Sequence, residues 1–134
     1  MKSRQSNTTP TSSELAILQI LWTNGPSSVK EVHAALDRDK PIVYTTILKT
    51  MQVMMERGML GRTEAGRKHI YHSIVEQEDT QNKLLDTFLN KTFSGSAKDL
   101  VMRALGKHTP DEAELNELRN FIDSLDNQKN NISE

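Results

Sequence analysis

The amino-acid sequence predicts a mainly α (α+β) fold, in which a winged helix-turn-helix domain is followed by a C-terminal helical dimerisation domain. The first observation is that residues 10–75 show three stretches of helical periodicity and then two of strand periodicity, which is the element order of a winged helix. The second is that residues 76–125 carry three short apolar stripes at helical spacing. We expect a flexible N-terminal arm at residues 1–9 before these domains and a flexible tail at residues 126–134 after them.

Capping boxes predict the starts of the first two helices. Thr11 and Glu14 have the Thr-x-x-Glu spacing in which each side chain bonds the backbone N–H of the other, and Ser28 and Glu31 repeat this arrangement. Apolar residues follow each box at helical spacing. The Asn-Gly-Pro sequence at residues 24–26 predicts the end of the first helix.

The third helix is predicted over residues 43–57. Its apolar side chains recur at steps of three and four, which places them on one side of a helix: Ile47, Met51, Met54 and Met55. Gly58 supplies the left-handed residue with which helices commonly end.

After Gly58 the apolar period changes from that of a helix to that of a strand. Residues 59–63 and 68–74 are predicted as two short strands with a turn near residues 65–66 between them. Alternation along the second strand places Ile70, His72 and Ile74 on one side. A β-hairpin after three helices is the wing of a winged helix.

The second half of the chain is predicted to form three helices of two to four turns. So few short helices cannot enclose a core of their own, because small isolated domains bury too little surface. Packing against a second copy is the simplest solution, so we predict a homodimer. The candidate dimerisation residues are the members of the three stripes: Leu84, Leu85, Phe88, Leu89, Leu100, Val101, Leu115, Leu118 and Ile122.

Charge is distributed unevenly along the chain. In total there are 17 Lys and Arg against 18 Asp and Glu, a net charge of −1, which by itself does not indicate a nucleic-acid partner. Residues 1–75, however, hold ten basic and six acidic side chains, a net charge of +4, and residues 76–134 hold seven and twelve, a net charge of −5. This asymmetry is expected when only the first half meets a polyanion.

If the first domain binds DNA, the third helix enters the major groove with the face that the core leaves exposed. That face carries polar residues able to contact base edges or phosphates: Tyr44, Thr45, Thr46, Lys49, Thr50 and Gln52. Three cations lie on or beside the hairpin tip, where a wing meets flanking phosphates: Arg62, Arg67 and Lys68. Ordinary solvent exposure of these polar residues is the alternative.

Composition and motifs exclude several classes of function. The absence of cysteine excludes disulfides, thiolate metal sites and cysteine nucleophiles. His69 and His72 lie three apart in a predicted strand and so face opposite sides, where they cannot share a metal. No phosphate loop, nucleophile elbow or metalloprotease motif is present, so we expect no enzymatic activity, metal or cofactor. A polar start and the lack of a long apolar run predict a cytoplasmic protein without membrane insertion.

The sequence resembles the penicillinase repressor (BlaI/MecI/CopY) family of winged-helix transcriptional regulators over about residues 10–125. The matching segments follow one another in order: residues 11–15, 21–22, 25–32, 43–52, 56–60, 66–67, 71, 84–86 and 93–96. The resemblance implies a homodimeric repressor that binds a palindromic operator on double-stranded DNA through helix 43–57 and the wing. It places the family's DNA contacts on Tyr44, Thr45, Thr46 and Lys49, with wing support from Arg67.

Three departures from the family pattern bear on regulation and binding. Val53 stands where many members have a basic residue after Gln52. Antibiotic-responsive members are cleaved at an Asn-Phe pair through a membrane sensor metalloprotease pathway of the BlaR/MecR type, but Arg103 and Ala104 occupy that place here. We therefore do not expect induction by cleavage at that bond, and a different bond stays open. Because cysteine is absent, copper sensing through the family's cysteine-rich motif is excluded.

A second class of function uses the same fold. A winged helix can serve as a protein-interaction adaptor without sequence-specific DNA binding, since fold alone does not fix function. The basic first half of the chain and the hairpin arginines favour a DNA-binding repressor over this alternative.

Overall fold

The computed structural model describes residues 9–132. Residues 1–8 of the predicted arm and residues 133–134 of the predicted tail lie outside this range. The chain forms two compact units that divide between Leu85 and Asp86. The sequence places the domain boundary at residue 75; residues 76–85 group with the first unit, and Thr80 among them is buried.

The first unit begins with three helices, α1 (Ser12–Asn24), α2 (Val29–Asp37) and α3 (Tyr44–Glu56). Both predicted capping boxes form: Glu14 N–H donates to Thr11 Oγ1 at 3.2 Å and Thr11 N–H donates to Glu14 Oε1 at 2.9 Å, and Ser28 and Glu31 make the equivalent pair. Gly25 ends α1 with φ of 84°, a left-handed conformation that glycine adopts without strain.

A two-stranded antiparallel hairpin follows, β1 (Leu60–Ala65) and β2 (Lys68–Ser73). Its register pairs Leu60 with Ser73 and Ala65 with Lys68, so the turn lies at residues 66–67. The buried side chain of β2 is Tyr71, on the side opposite to Ile70, His72 and Ile74. Tyr71 also joins the hairpin to the start of α2, because its backbone exchanges two hydrogen bonds with Ser27, at 2.8 and 2.9 Å.

One hydrophobic core holds the three helices and the hairpin together. It contains side chains from the three helices, from both strands and from the residue before β1: Ile17, Leu18, Leu21, Val29, Val32, Ile47, Met51, Met54, Met59, Leu60 and Tyr71. As predicted, α3 directs Ile47, Met51 and Met54 inward, and Met55 is half-buried against the same core. The third helix is therefore fixed on one side and exposed on the other.

Two side-chain contacts tie distant parts of the first unit together. Arg57, at the end of α3, donates through Nη1 to the Oε2 atom of the buried Glu14. Trp22 Nε1 lies 3.1 Å from Ser73 Oγ and 3.2 Å from the Val75 carbonyl oxygen, which fixes the chain where it leaves the hairpin.

Three helices complete the chain, α4 (Gln77–Phe93), α5 (Ala97–Lys107) and α6 (Glu112–Ile132). The division between the two units falls inside α4. The sequence placed a tail from residue 126, but α6 continues to Ile132. An apolar stripe marks the length of a buried face, and a helix can extend beyond it as long as its backbone hydrogen bonds continue.

None of residues 86–131, which make up the described side chains of the second unit, is fully buried. Its largest exposed apolar residues lie on all three helices: Phe88, Val101, Met102, Phe121, Ile122 and Leu125. Within residues 9–132, no helix combines the length and hydropathy that a membrane span requires.

Candidate nucleic-acid interface

The outer face of α3 is the centre of the candidate interface. Thr45 and Lys49 lie four residues apart, so they share one stripe of the helix, and both are exposed. The core residues of α3 occupy the opposite side. A helix held in this way presents a mainly polar surface, with the exposed Val53 near its end, that can enter the major groove.

On one side of α3, a cleft of about 630 Å³ opens toward the hairpin. Four of the predicted DNA-binding residues line it together: Tyr44, Arg62, Arg67 and Lys68. Lys30 from the first turn of α2 lines the same cleft, which brings four cationic side chains to its wall. The hairpin cations, which are distant from α3 in sequence, therefore extend the surface that α3 begins.

On the other side of α3, a shallower groove of about 350 Å³ runs beside the start of α1. Thr46, Lys49 and Thr50 line this groove. The hydroxyl of Thr50 donates to the Thr46 carbonyl at 2.8 Å, so only its lone pairs remain for another partner. The predicted residues thus lie along α3 and on both of its flanks.

Side chains of α2 fix the backbone that leads into α3. Asp37 Oδ1 accepts the N–H of Ile42 at 2.9 Å, and His33 Nε2 lies 2.7 Å from the Ile42 carbonyl oxygen. The ring of His33 also meets the ring of Tyr44 edge to face, with centroids 5.5 Å apart. Side chains of α2 therefore hold both backbone polar groups of Ile42 and contact the ring of Tyr44 at the start of α3.

Among the residues that line the cleft, one is acidic. Glu31 lines it, and the hydrogen bond from the Ser28 backbone lowers the pKa of Glu31, with a smaller lowering from the positive charge of Lys68. Glu64 stands opposite His69 in the hairpin register, with Oε2 and Nε2 at 3.5 Å. Cationic groups therefore outnumber carboxylates on the surface around α3 and the hairpin.

Two exposed side chains near α3 are not among the predicted DNA-binding residues. Lys30 lies in the first turn of α2, and the helix before the recognition helix is the one that crosses the DNA backbone in a helix-turn-helix. Val43 precedes α3, and its side chain is 65% exposed. Among residues 9–132, no group of three or more His, Cys, Asp or Glu side chains could hold a metal ion.

The sequence is similar to bacterial repressors of one family. The model of the penicillinase repressor family matches residues 10–124. The methicillin resistance regulatory protein MecI of Staphylococcus aureus (strain N315) is 25% identical over 111 residues, which cover 83% of this chain and 90% of MecI. The penicillinase repressor of Bacillus licheniformis is 22% identical over 116 residues, covering 87% of this chain and 91% of that repressor.

A solved structure supports the same fold. The transcriptional regulator Tm0710 from Thermotoga maritima superimposes with a TM-score of 0.52 over 92% of this chain and 80% of that chain, at 16% sequence identity. The predicted mainly helical, winged-helix fold is therefore confirmed.

Proposed function

The chain belongs to the penicillinase repressor family of DNA-binding transcriptional repressors, which are not enzymes, and from this membership we propose that it acts as a homodimer on a palindromic operator. In this proposal α3 reads bases in the major groove and the hairpin contacts flanking phosphates as a wing. Two protomers related by a two-fold axis place two such helices on half-sites about 34 Å apart, one turn of DNA, or a multiple of that distance.

The observation that carries this proposal is the position of the cationic cleft beside the outer face of α3. Lys49 extends from the exposed face of the helix, and Arg62, Arg67 and Lys68 line the adjoining cleft. Each cation that neutralises a phosphate releases a counterion, which stabilises the complex. The same placement, together with family membership, favours DNA over a protein partner, so the adaptor alternative has no specific observation behind it.

The second unit supports the dimer. Its helices leave their apolar side chains half-buried or exposed in the single chain, and covering such side chains with another apolar surface is favourable in water. The predicted dimerisation residues divide into half-buried ones, Leu84, Leu89, Leu100, Leu115 and Leu118, and exposed ones, Leu85, Phe88, Val101 and Ile122. We propose that a second copy of the same helices covers them in a symmetric interface.

Selection of duplexes from a random pool tests the proposal directly. We expect the purified protein to enrich a sequence with two inverted half-sites, and a single half-site to bind far more weakly because the dimer gains from effective concentration. Enrichment of no sequence, combined with no retention on duplex DNA at low salt, would support an adaptor instead.

Release from DNA is a separate part of the proposal. Family membership suggests a membrane sensor metalloprotease pathway of the BlaR/MecR type as the partner. Arg103 and Ala104 lie within α5, so the bond between them is held in a helix. We propose that this bond is not the one cleaved. Mass spectrometry of the protein recovered from cells exposed to a β-lactam tests this, and a fragment ending at Arg103 would contradict it.

A further inference from the structure

Val43 departs from two local preferences at one position. It is the residue that precedes α3, yet its side chain makes no capping hydrogen bond, whereas α1, α2 and α5 begin at residues whose hydroxyls do. Ser, Thr, Asp and Asn are strongly preferred here because they satisfy a free backbone N–H. Its apolar side chain is also 65% exposed, so the first unit does not use it for packing.

A residue that forgoes helix capping and core packing is expected where function requires it, because local rules are broken mainly at functional sites. Val43 lies where a recognition helix begins, and the first residues of such a helix contact base edges. The exposed groups that follow it on α3, from Tyr44 to Lys49, include hydroxyls and an ammonium. Val43 is the apolar side chain at the start of this polar face.

The backbone at Val43 is held rigidly. The preceding residue, Ile42, has its N–H bound by Asp37 and its carbonyl by His33. The carbonyl of Val43 itself accepts the N–H groups of Thr46 at 3.1 Å and Ile47 at 3.4 Å. A branched side chain has few rotamers, so on this backbone its position is largely set before any partner binds.

We infer that Val43 is a specificity-determining residue that contacts the C5-methyl group of a thymine in the major groove of each half-site. The methyl group is the one apolar feature by which the major groove distinguishes thymine, and an aliphatic side chain is its natural partner. This inference rests on the proposed operator binding.

Replacement of thymine by deoxyuridine tests this contact, because the change removes only the methyl group. The probe is a duplex that the unchanged protein selects from a random pool. In a series of copies of this duplex, each thymine of one half-site is replaced in turn by deoxyuridine. Affinities of the unchanged protein, Val43→Ala and Ile74→Ala are measured by fluorescence anisotropy at one salt concentration. Ile74 is a matched control, since it is an exposed β-branched residue outside the cleft and the groove.

We expect one thymine at which the replacement weakens binding of the unchanged protein and of Ile74→Ala by about fourfold, the effect of one buried methyl group. Val43→Ala should bind the thymine and uracil duplexes equally at that position. Its fold should be unchanged because the lost side chain is exposed and caps nothing, which circular dichroism checks.

Two results would overturn the inference while leaving operator binding intact. One is that no thymine replacement affects the unchanged protein. The other is that Val43→Ala keeps the full preference for thymine, which would assign the methyl contact to another residue such as Thr45 or Thr46. Failure to select any duplex would instead overturn the proposed function.

Discussion

Replacement of Arg67 by alanine should reduce the salt dependence of operator binding. Arg67 is exposed at the tip of the hairpin and makes no ion pair with any of residues 9–132, so its charge is available to a phosphate. A homodimer carries two copies of this residue. If each copy neutralises one phosphate, Arg67→Ala lowers the slope of log K against log salt by about 1.8, at about 0.9 per contact.

The slope change has a direct consequence for affinity. Between 50 and 200 mM salt, the unchanged protein should lose about 12-fold more affinity than Arg67→Ala does. Fluorescence anisotropy titrations on one selected duplex at several salt concentrations measure this difference. Arg67→Lys retains the charge and should keep the slope. Lys98→Ala, which removes an exposed charge from α5, should also keep it.

A slope for Arg67→Ala equal to that of the unchanged protein would refute this reasoning. If affinity is unchanged as well, the hairpin tip does not lie against the DNA. A loss of affinity at every salt concentration with no change in slope would place Arg67 on a base edge rather than on a phosphate.

Three further predictions concern stability and assembly. Arg57→Ala leaves the buried carboxylate of Glu14 without its ion-pair partner, so the free energy of unfolding in urea should fall by about 1–3 kcal/mol. An unchanged unfolding midpoint would show that the ion pair contributes nothing to stability. The pKa of Glu31 in the folded protein lies below its ordinary value of 4.5. The ionised Glu31 side chain therefore contributes fully to the stability of the fold above pH 4.5, and this contribution is lost as the pH falls through the lowered pKa. Glu31→Gln should therefore lose less stability on acidification, and equal pH profiles would exclude this role. Ile122→Asp should dissociate the dimer in sedimentation velocity, whereas the exposed polar control Asn120→Asp should not; a dimeric Ile122→Asp would remove Ile122 from the interface.

The parts of the fold that were predicted correctly depend on contacts between residues close in sequence. The capping boxes of α1 and α2 join residues three apart, so their spacing alone predicts them. The inward face of α3 follows from helical periodicity in the same way. The continuation of α6 beyond residue 125 was missed, because its polar end carries no apolar period.

The sequence locates only part of the cationic surface around α3, for a similar reason. The polar side chains of α3 share one helix face, and helical periodicity predicts this. That Lys30 stands at the same cleft as Arg67 and Lys68 depends on how α2 packs against the hairpin, which involves the Ser27–Tyr71 backbone pair, 44 positions apart in the sequence. We infer the role of Val43 from the exposure of its side chain and from the missing capping hydrogen bond at the start of α3. The helical periodicity of the sequence shows neither feature.

The sequence by itself determined the order of the elements, the family, the separation of a basic first half from an acidic second half, and the helix that presents the polar face. These are set by local spacing and by composition, which the chain carries in any conformation. Only the tertiary structure decided which distant cations share a cleft, that Tyr71 rather than its neighbours enters the core, and that the turn before α3 is held by His33 and Asp37. Each of these depends on surfaces that meet only when the core forms, because packing brings together residues that no sequence interval relates.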